Sequence, residues 1–372
     1  MTSPRRAATR SMTSLHRNSL PIPDDIVMEI FSRLPSKAMA RCRCACKLWS
    51  SMLRRQVFTD SFLTKSSARP QLLFACHDHH SNKYIFFSSS SPHPQEENVV
   101  VAANHLARFP SSSYRLFGCT SGFLCYRAKP GSRTPEICNP STGQSLTLPR
   151  FNYLGYDPVS KEFKVLSMEI LQISAKHRVL TLGTKKLSWR LVQCSTPHYS
   201  SSKWISISGV IYYAAAANRS SANSMVACFD LRVEKFSFVN FSRGMHGSTA
   251  LVNYNGKLGL LMSGDSYSGG DNISRASKSL ELWVLQDAEW SKHVYVLPPP
   301  WKDVVVDIVH IAGMVGVNEI VLTPWFQNVP SYVIYFNVER KTVRKVGIQG
   351  MEAFQGKGFQ TYLNYVENVM LL

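Results

Sequence analysis

The hydrophobic pattern changes character once along the chain, near residue 70. Before that point apolar residues recur at helical spacing. Ile26, Ile30 and Leu34 fall every four residues, with Val27 and Phe31 beside them, which is one apolar stripe of a helix. Asp24 and Asp25 sit where negative charge favours a helix start, and Pro23 is tolerated there. Pro35 ends the helix, because proline disfavours helical backbone in the residue before it. Ser36 is placed to cap a second helix carrying Ala38, Met39 and Cys42, and a third carries Cys46, Trp49, Met52 and Leu53. Three helices this short cannot bury their stripes unaided, so the pattern predicts a partner for these faces.

From Gln71 the pattern becomes short β-rich runs separated by turn residues. Examples are Leu72-Leu-Phe-Ala75, Tyr84-Ile-Phe-Phe87, Phe163-Lys-Val-Leu166, Gly209-Val-Ile-Tyr-Tyr213, Leu280-Glu-Leu-Trp-Val-Leu285 and Tyr332-Val-Ile-Tyr-Phe336. Ser-rich stretches at 88–91 and 200–202, and the segments 218–224 and 263–279, read as surface loops. Apolar strand, polar turn, apolar strand recurs at turns centred on residues 139, 183, 230, 286 and 337, with a fuzzier copy at Asn82. The intervals run from 44 to 57 residues. A hairpin repeating at about this period is the signature of propeller blades, and closure of a ring removes exposed strand edges. The C-terminal run from Tyr362 to Leu372 is expected to pair with the first strands and close the ring. The expected fold is therefore α+β and multidomain. A tail (1–19) leads to a short helical module (20–66) and an all-β, six-bladed, propeller-like domain (71–372). A twisted sandwich or half-open propeller is the alternative.

Charge changes the picture. The net charge is +18, and residues 1–70 carry half of it, with 13 Lys/Arg against 4 Asp/Glu. A basic N-terminal module on a mildly basic body suggests two units with different tasks rather than a uniform nucleic-acid surface. The tail has Arg5, Arg6, Arg10 and Arg17 and no acid. It reads as a solvated tail, with a nuclear signal or a transit peptide as alternatives. Nine cysteines form no secretory pattern, so reduced thiols and a cytoplasmic or nuclear location are expected. The most apolar stretch, Val304 to Phe326, holds Asp307, His310, Asn318, Glu319 and Pro324 and cannot cross a bilayer as a helix. No membrane contact is expected.

Candidate chemistry is sparse, and no cofactor is expected. Cys42, Cys44 and Cys46 look like metal ligands, but a spacing of two on a helix sends side chains to opposite faces, so they read as structural. The cluster His77-Asp-His-His80, beside Cys76, falls in an expected turn and reads as a solvated loop rather than a metal site. His310 lies in an apolar strand and reads as a packed core histidine. Gly264-Asp-Ser-Tyr-Ser-Gly269 lacks the spacing of a nucleophile elbow, and the Gly350 to Lys357 stretch lacks the spacing and the Ser/Thr of a phosphate loop. Trp204, Trp283, Trp301 and Trp325 are expected in the core rather than around a pocket.

The helical segment from Ile22 to Leu53 resembles an F-box, most of all the plant type followed by an F-box-associated, kelch-like β domain. The matching pieces are the proline–acid start, Glu29-Ile-Phe-Ser-Arg-Leu-Pro35 and Arg43-Cys-Ala-Cys-Lys-Leu-Trp49. The body is similar to the associated domain through Ile137-Cys-Asn-Pro-Ser-Thr-Gly143, Gly155-Tyr-Asp-Pro-Val-Ser-Lys-Glu-Phe-Lys-Val165, Ser188-Trp-Arg190 and Gly209-Val-Ile-Tyr-Tyr213. The resemblance implies the substrate receptor of a Skp–cullin–F-box ubiquitin ligase, which does no bond chemistry itself. The F-box would dock a Skp-family adaptor, and through it a cullin, while the β domain would hold a target protein. It also implies an adaptor face, or the core beneath it, made by Pro23, Ile26, Ile30, Phe31, Leu34, Pro35, Met39, Cys46 and Trp49. Cys42 stands where many F-boxes have a larger apolar residue, and Ala45 where valine is common, which removes apolar contact. Arg41, Arg43, Lys47, Arg54 and Arg55 are expected to face solvent or an acidic adaptor, steering association. The competing readings are a propeller-fold enzyme, which needs convergent polar residues at one mouth of the ring, and a nucleic-acid binder. Aromatic residues inside strands, unpaired with basic runs, make nucleic acid the weaker of these.

Overall fold

A computed structural model describes residues 22–372 apart from 79, 91–99, 111–115, 128–133, 150, 169–173, 185, 218–222, 246–248, 266–271, 325, 327–329 and 355. The Arg-rich tail, His79 and Trp325 lie outside the described residues.

Four helices come first: α1 (Asp24–Ser32), α2 (Ser36–Ala45), α3 (Lys47–Met52) and α4 (Gln56–Ser67). Asp24 and Asp25 occupy the first turn of α1, where the helix dipole favours them. The fourth helix goes beyond the three read from the sequence. Its Phe58 and Phe62 share one face at helical spacing and are buried with Phe31, Met39 and Leu53.

The β domain follows in chain order. The first strands are β1 (Gln71–Asp78), β2 (Lys83–Ser90), β3 (Val100–Ala102) and β4 (Asn104–Pro110). Next come β5 (Leu116–Thr120), β6 (Phe123–Arg127), β7 (Pro135–Asn139) and β8 (Gln144–Thr147). Then β9 (Tyr153–Asp157), β10 (Glu162–Ser167), β11 (Ser174–Thr181) and the long β12 (Arg190–Ile207) lead to β13 (Val210–Ala216), β14 (Asn223–Asp230) and β15 (Lys235–Met245). The strands β16 (Ala250–Tyr254), β17 (Lys257–Ser263), β18 (Asn272–Ile273), β19 (Ser279–Gln286) and β20 (Glu289–Val296) precede the single turn α5 (Trp301–Val304). The chain ends with β21 (Val309–Val315), β22 (Glu319–Pro324), β23 (Ser331–Asn337), β24 (Thr342–Gln349) and β25 (Phe359–Tyr365).

Hydrogen bonding among these strands gives five sheets. One has seven strands, β9 to β15, because β12 belongs to two units at once. Its first half pairs with β11 and its second half with β13. In a propeller the outer strand of one blade leads to the inner strand of the next. Here that crossing is made inside a single strand. Counted this way, the described residues form six units of four antiparallel strands: β25-β1-β2-β4, β5 to β8, β9 to β12, β12 to β15, β16-β17-β19-β20, and β21 to β24, the last extended by β18 beside β21 and by β3 parallel to β24. The apolar clusters lie between neighbouring units, so each unit completes its core only against the next. Strands β5, β12, β16, β21 and β25 line a central channel of about 460 Å³, with Lys203, Asn253, His310 and Gln360 facing it.

The ring closes in the first unit, where β25 pairs antiparallel with β1. The expected C-terminal closure holds only as far as Tyr365. Residues 366–372 leave the sheet. The five regular turns of the repeat all join the third and fourth strands of their unit, whereas the turn at Asn82 joins β1 to β2. The C-terminal strand supplies the first strand of that unit, so Asn82 is out of phase with the series.

Two expected loops are strands. Ser88 and Ser89 are buried on β2, and residues 200–202 lie within β12 at a register shift between Ser200 and Trp204. Both serine runs are polar enough to read as loop, yet Ser88 and Ser89 pair along β1 and Ser200 pairs with Ala215. Among the described residues no helix is long and apolar enough to cross a membrane.

Candidate adaptor interface

The helical module presents two faces. One is core: Phe31 and Met39 are buried with Leu53, Phe58, Phe62 and Val369, and half-buried Leu34 and Trp49 pack against them. Trp49 meets Phe31 edge-to-face at 5.0 Å. The other face is open. Ile26 and Ile30 stand one helical turn apart and are 48% and 49% exposed. Ile22 and Leu48 are exposed as well, as are Pro23, Pro35, Ala45 and Cys46. The residues expected at the adaptor therefore divide. Pro23, Ile26, Ile30, Pro35 and Cys46 are at the surface, whereas Phe31 and Met39 support them from beneath, with Leu34 and Trp49 between. Ile22 and Leu48 join the exposed face; both are apolar residues flanking the expected pattern.

Ion pairs hold the helices together. Glu29 on α1 accepts from Arg33 at 2.8 Å and pairs with Lys65 on α4, whose amino group also donates to the Ser32 hydroxyl at 2.6 Å. Lys65 first, and Arg33 second, hold the Glu29 carboxyl below its ordinary range. Of the five basic residues expected at the surface, Arg41, Lys47, Arg54 and Arg55 are exposed. Arg43 is not. Its guanidinium donates to the Leu53 carbonyl at 3.2 Å and to the Val369 carbonyl at 2.6 Å, and burial, more than nearby Arg54, lowers its affinity for the proton. A long side chain near a helix end can turn inward to bond exposed carbonyls, and nothing in the spacing of the arginines announces which one will.

The helices are seated on the propeller through the last seven residues and through direct contacts of α4, where Leu63 packs in the propeller core. Glu367 meets the start of α2, Val369 enters the helical core, and Asp60 pairs with Lys161 at 3.3 Å. On the other side, the Asn139 amide donates to the carbonyls of Asn368 and Met370 at 2.8 and 3.0 Å. The Asn368 backbone N–H donates to Ser141 Oγ at 3.1 Å. The sequence Cys138-Asn-Pro-Ser-Thr-Gly-Gln144, marked above as a repeated turn and as part of the resemblance, is thus the receptor for residues 368–370.

The candidate metal residues do not converge here. Cys44 and Cys46 are exposed and Cys42 is half-buried. The Cys46 sulfur accepts from the Trp49 backbone N–H at 3.4 Å, serving as the cap of α3. The histidine cluster is not a solvated loop throughout. His77 is buried on β1, edge-on to Tyr84, and Asp78 accepts from Lys357 and Ser81, which hold its carboxyl well below the usual range. The strand β1 is buried on both faces from Leu72 to His77, so His77 is covered with its apolar neighbours, which the polar composition conceals. Trp204 and Trp301 are core, as expected, while Trp283 is half-buried.

Comparison with known proteins matches this architecture piece by piece. A model of the F-box domain fits residues 20–61, and a model of the F-box associated beta propeller domain fits residues 71–367. The chain belongs to the plant F-box proteins with an associated β-propeller. Relatives in Arabidopsis thaliana include the F-box protein DOR, 45% identical over 98% of this chain and 97% of its own length. The F-box protein At5g65850 is 44% identical over 99% of this chain and 95% of its own. In this F-box protein the exposed apolar residues Ile22, Ile26, Ile30 and Leu48 lie on the F-box.

Proposed function

We propose that this F-box protein is the substrate receptor of a Skp–cullin–F-box ubiquitin ligase, without catalytic residues of its own. The observation that carries this reading is the exposure of Ile22, Ile26, Ile30 and Leu48, in and beside helices whose buried side is already committed to the C-terminal segment. Exposed apolar residues of this kind, on a module that also exposes Arg41, Lys47, Arg54 and Arg55, suit an adaptor with apolar contacts and an acidic surround. The propeller holds a target protein, and the rigid seat between F-box and propeller fixes where that target stands. The receptor then raises the effective concentration of target lysines near a charged ubiquitin-conjugating enzyme, which is rate enhancement by proximity.

Binding of the full chain to a recombinant plant Skp-type adaptor tests this. Wild type binds, and Ile26→Asp combined with Ile30→Asp weakens binding at least about tenfold, the equivalent of roughly 1.4 kcal/mol, with the fold intact by circular dichroism. Equal binding by both proteins, or by neither, overturns the reading.

A further inference from the structure

We propose that His177, Cys194 and His198 form a site for one divalent transition-metal ion of the zinc class, buried in the third unit of the propeller. One ligand atom from each residue lies within 4.8 Å of the other two, and the residues are 0%, 8% and 1% exposed. Imidazole nitrogen and cysteine thiolate form a donor set typical of zinc. A tetrahedral site places such donor atoms roughly 3.5 Å apart. Cys194 Sγ and His198 Nδ1 are already 3.9 Å apart, so modest side-chain rotations close the site.

The backbone brings the three together at an irregularity. Along β11 and β12 the pairing shifts between Ser174 and Lys176, leaving Cys194 to Pro197 bulged out of the ladder. The bulge gathers Cys194 and His198 beside His177 on the neighbouring strand. A Cys-x₃-His spacing in the sequence is the trace of this arrangement.

Hydrogen bonding distinguishes a metal site from a packed polar core. His198 is supported on both sides, with Nδ1 at 2.8 Å from the Thr196 carbonyl and Nε2 at 2.7 Å from the Tyr213 hydroxyl. His177 is not. Among the described residues, neither of its ring nitrogens has a hydrogen bond of good geometry, although the Lys176 carbonyl lies near enough to act on the ring. A wholly buried imidazole left in this state costs free energy, and native interiors rarely tolerate it. A metal takes up the His177 lone pair. Ligation through His198 Nδ1 gives up the hydrogen bond from that nitrogen to the Thr196 carbonyl; the ring proton then sits on Nε2 and donates to the Tyr213 hydroxyl, which makes Tyr213 a positioning residue that fixes the ring. Cys194 gives up its thiol proton to solvent on binding. The metal then pins β12 just before that strand passes from the third unit into the fourth.

The test uses the full chain, produced with zinc or with cobalt(II) as the added metal. Wild type holds about one metal ion per chain after desalting, and the cobalt form shows a thiolate-to-cobalt charge-transfer band. Cys194→Ser abolishes that band and lowers zinc affinity at least tenfold, while Cys44→Ser, at an exposed thiol, changes neither. Tyr213→Phe, which keeps the ring and its packing, lowers zinc affinity about ten- to a hundredfold. A folded wild type without the band, or zinc affinity equal in wild type, Cys194→Ser and Tyr213→Phe, overturns the proposal.

Discussion

Ser36 and Glu367 are hydrogen-bonded across almost the whole chain: the serine hydroxyl donates to Glu367 Oε1 at 2.6 Å, and the Ser36 backbone N–H faces the same carboxylate at 3.3 Å. The pair explains how α2 begins. The residue before it is Pro35, which offers no side chain to cap the helix. Ser36 is the first helical residue and not the cap that its position suggested. The capping acceptor is supplied from the far end of the chain, at the end of the helix where the dipole favours negative charge. The orientation of the F-box is therefore coupled to ring closure, since Glu367 lies two residues beyond the closing strand.

Replacing Glu367 by alanine removes this cap. The expected loss is about 1 kcal/mol, felt locally at α2. Hydrogen exchange of the α2 amides reads it as roughly fivefold faster exchange, with the propeller strands unaffected. Glu367→Gln has the smaller effect, because its amide oxygen still accepts without the charge. Unchanged exchange at α2 in the alanine variant would show that the helix is held by packing alone.

The hairpins of the propeller share one device. Asn139, Asp157, Asp230 and Asn337 each accept, through the side chain, a backbone N–H two or three residues ahead. Four residues after each stands a left-handed residue: Gly143, Lys161, Glu234 and Lys341, with φ between 54° and 75°. Such turns favour Asn or Asp at the start and glycine at the left-handed position. No heavy atom lies within 4 Å of a Cβ added at Gly143, so Gly143→Ala isolates the backbone cost, roughly 1 kcal/mol of destabilisation. Lys341→Gly, at an exposed position, is expected to gain up to a similar amount. Denaturant unfolding checks both, and a shift of the same sign in the two variants would contradict the turn assignment.

These turns are also why so much of the fold could be read from residues alone. The turn bonds accepted by Asn139, Asp230 and Asn337 are local and do not depend on distant partners, so the repeat was visible. The F-box stripe was visible for the same reason, in the four-residue spacing of Ile26 and Ile30. What stayed hidden depends on contacts remote in sequence. Arg43 turns inward because a carbonyl at residue 369 awaits it. Ser88 and Ser89 are strand because β1 and β4 flank them. His177 meets Cys194 and His198 only after β11 and β12 pair around a bulge. The sharing of β12 by two units leaves no turn residue to mark the boundary.

Gly118 shows how closely the inner strands approach. A Cβ on it would fall 2.7 Å from Trp204 Cζ2. The indole cannot retreat easily, because its Nε1–H donates to the Leu154 carbonyl at 3.0 Å and its ring packs on Tyr153 at 5.4 Å. Gly118→Ala should cost about 1–3 kcal/mol by overpacking. In the Trp204→Phe background, where the smaller ring leaves room, the same change should cost much less. A double-mutant cycle by denaturant unfolding measures the difference, and additive effects would place the strain elsewhere.

His310 gives the protein an acid-sensitive term. It is buried on β21, its Nε2 lies 3.0 Å from the Thr323 hydroxyl, and it faces the channel with Lys203. Burial first, and Lys203 second, push its pKa down to about 4. In the unfolded chain the ring titrates near 6.5. Above that pH both states are neutral, and the term is fully favourable to folding. As pH falls through 6.5 the unfolded state takes up the proton first, and stability is lost at about 1.4 kcal/mol per pH unit until the folded state protonates near 4. His310→Gln keeps a polar partner for Thr323 and removes the titration. Between pH 7.5 and 5 the wild type is expected to lose on the order of 2 kcal/mol more than the variant, since the other histidines contribute equally to both. Parallel pH profiles for the two proteins would mean that His310 titrates in the fold as it does in the unfolded chain.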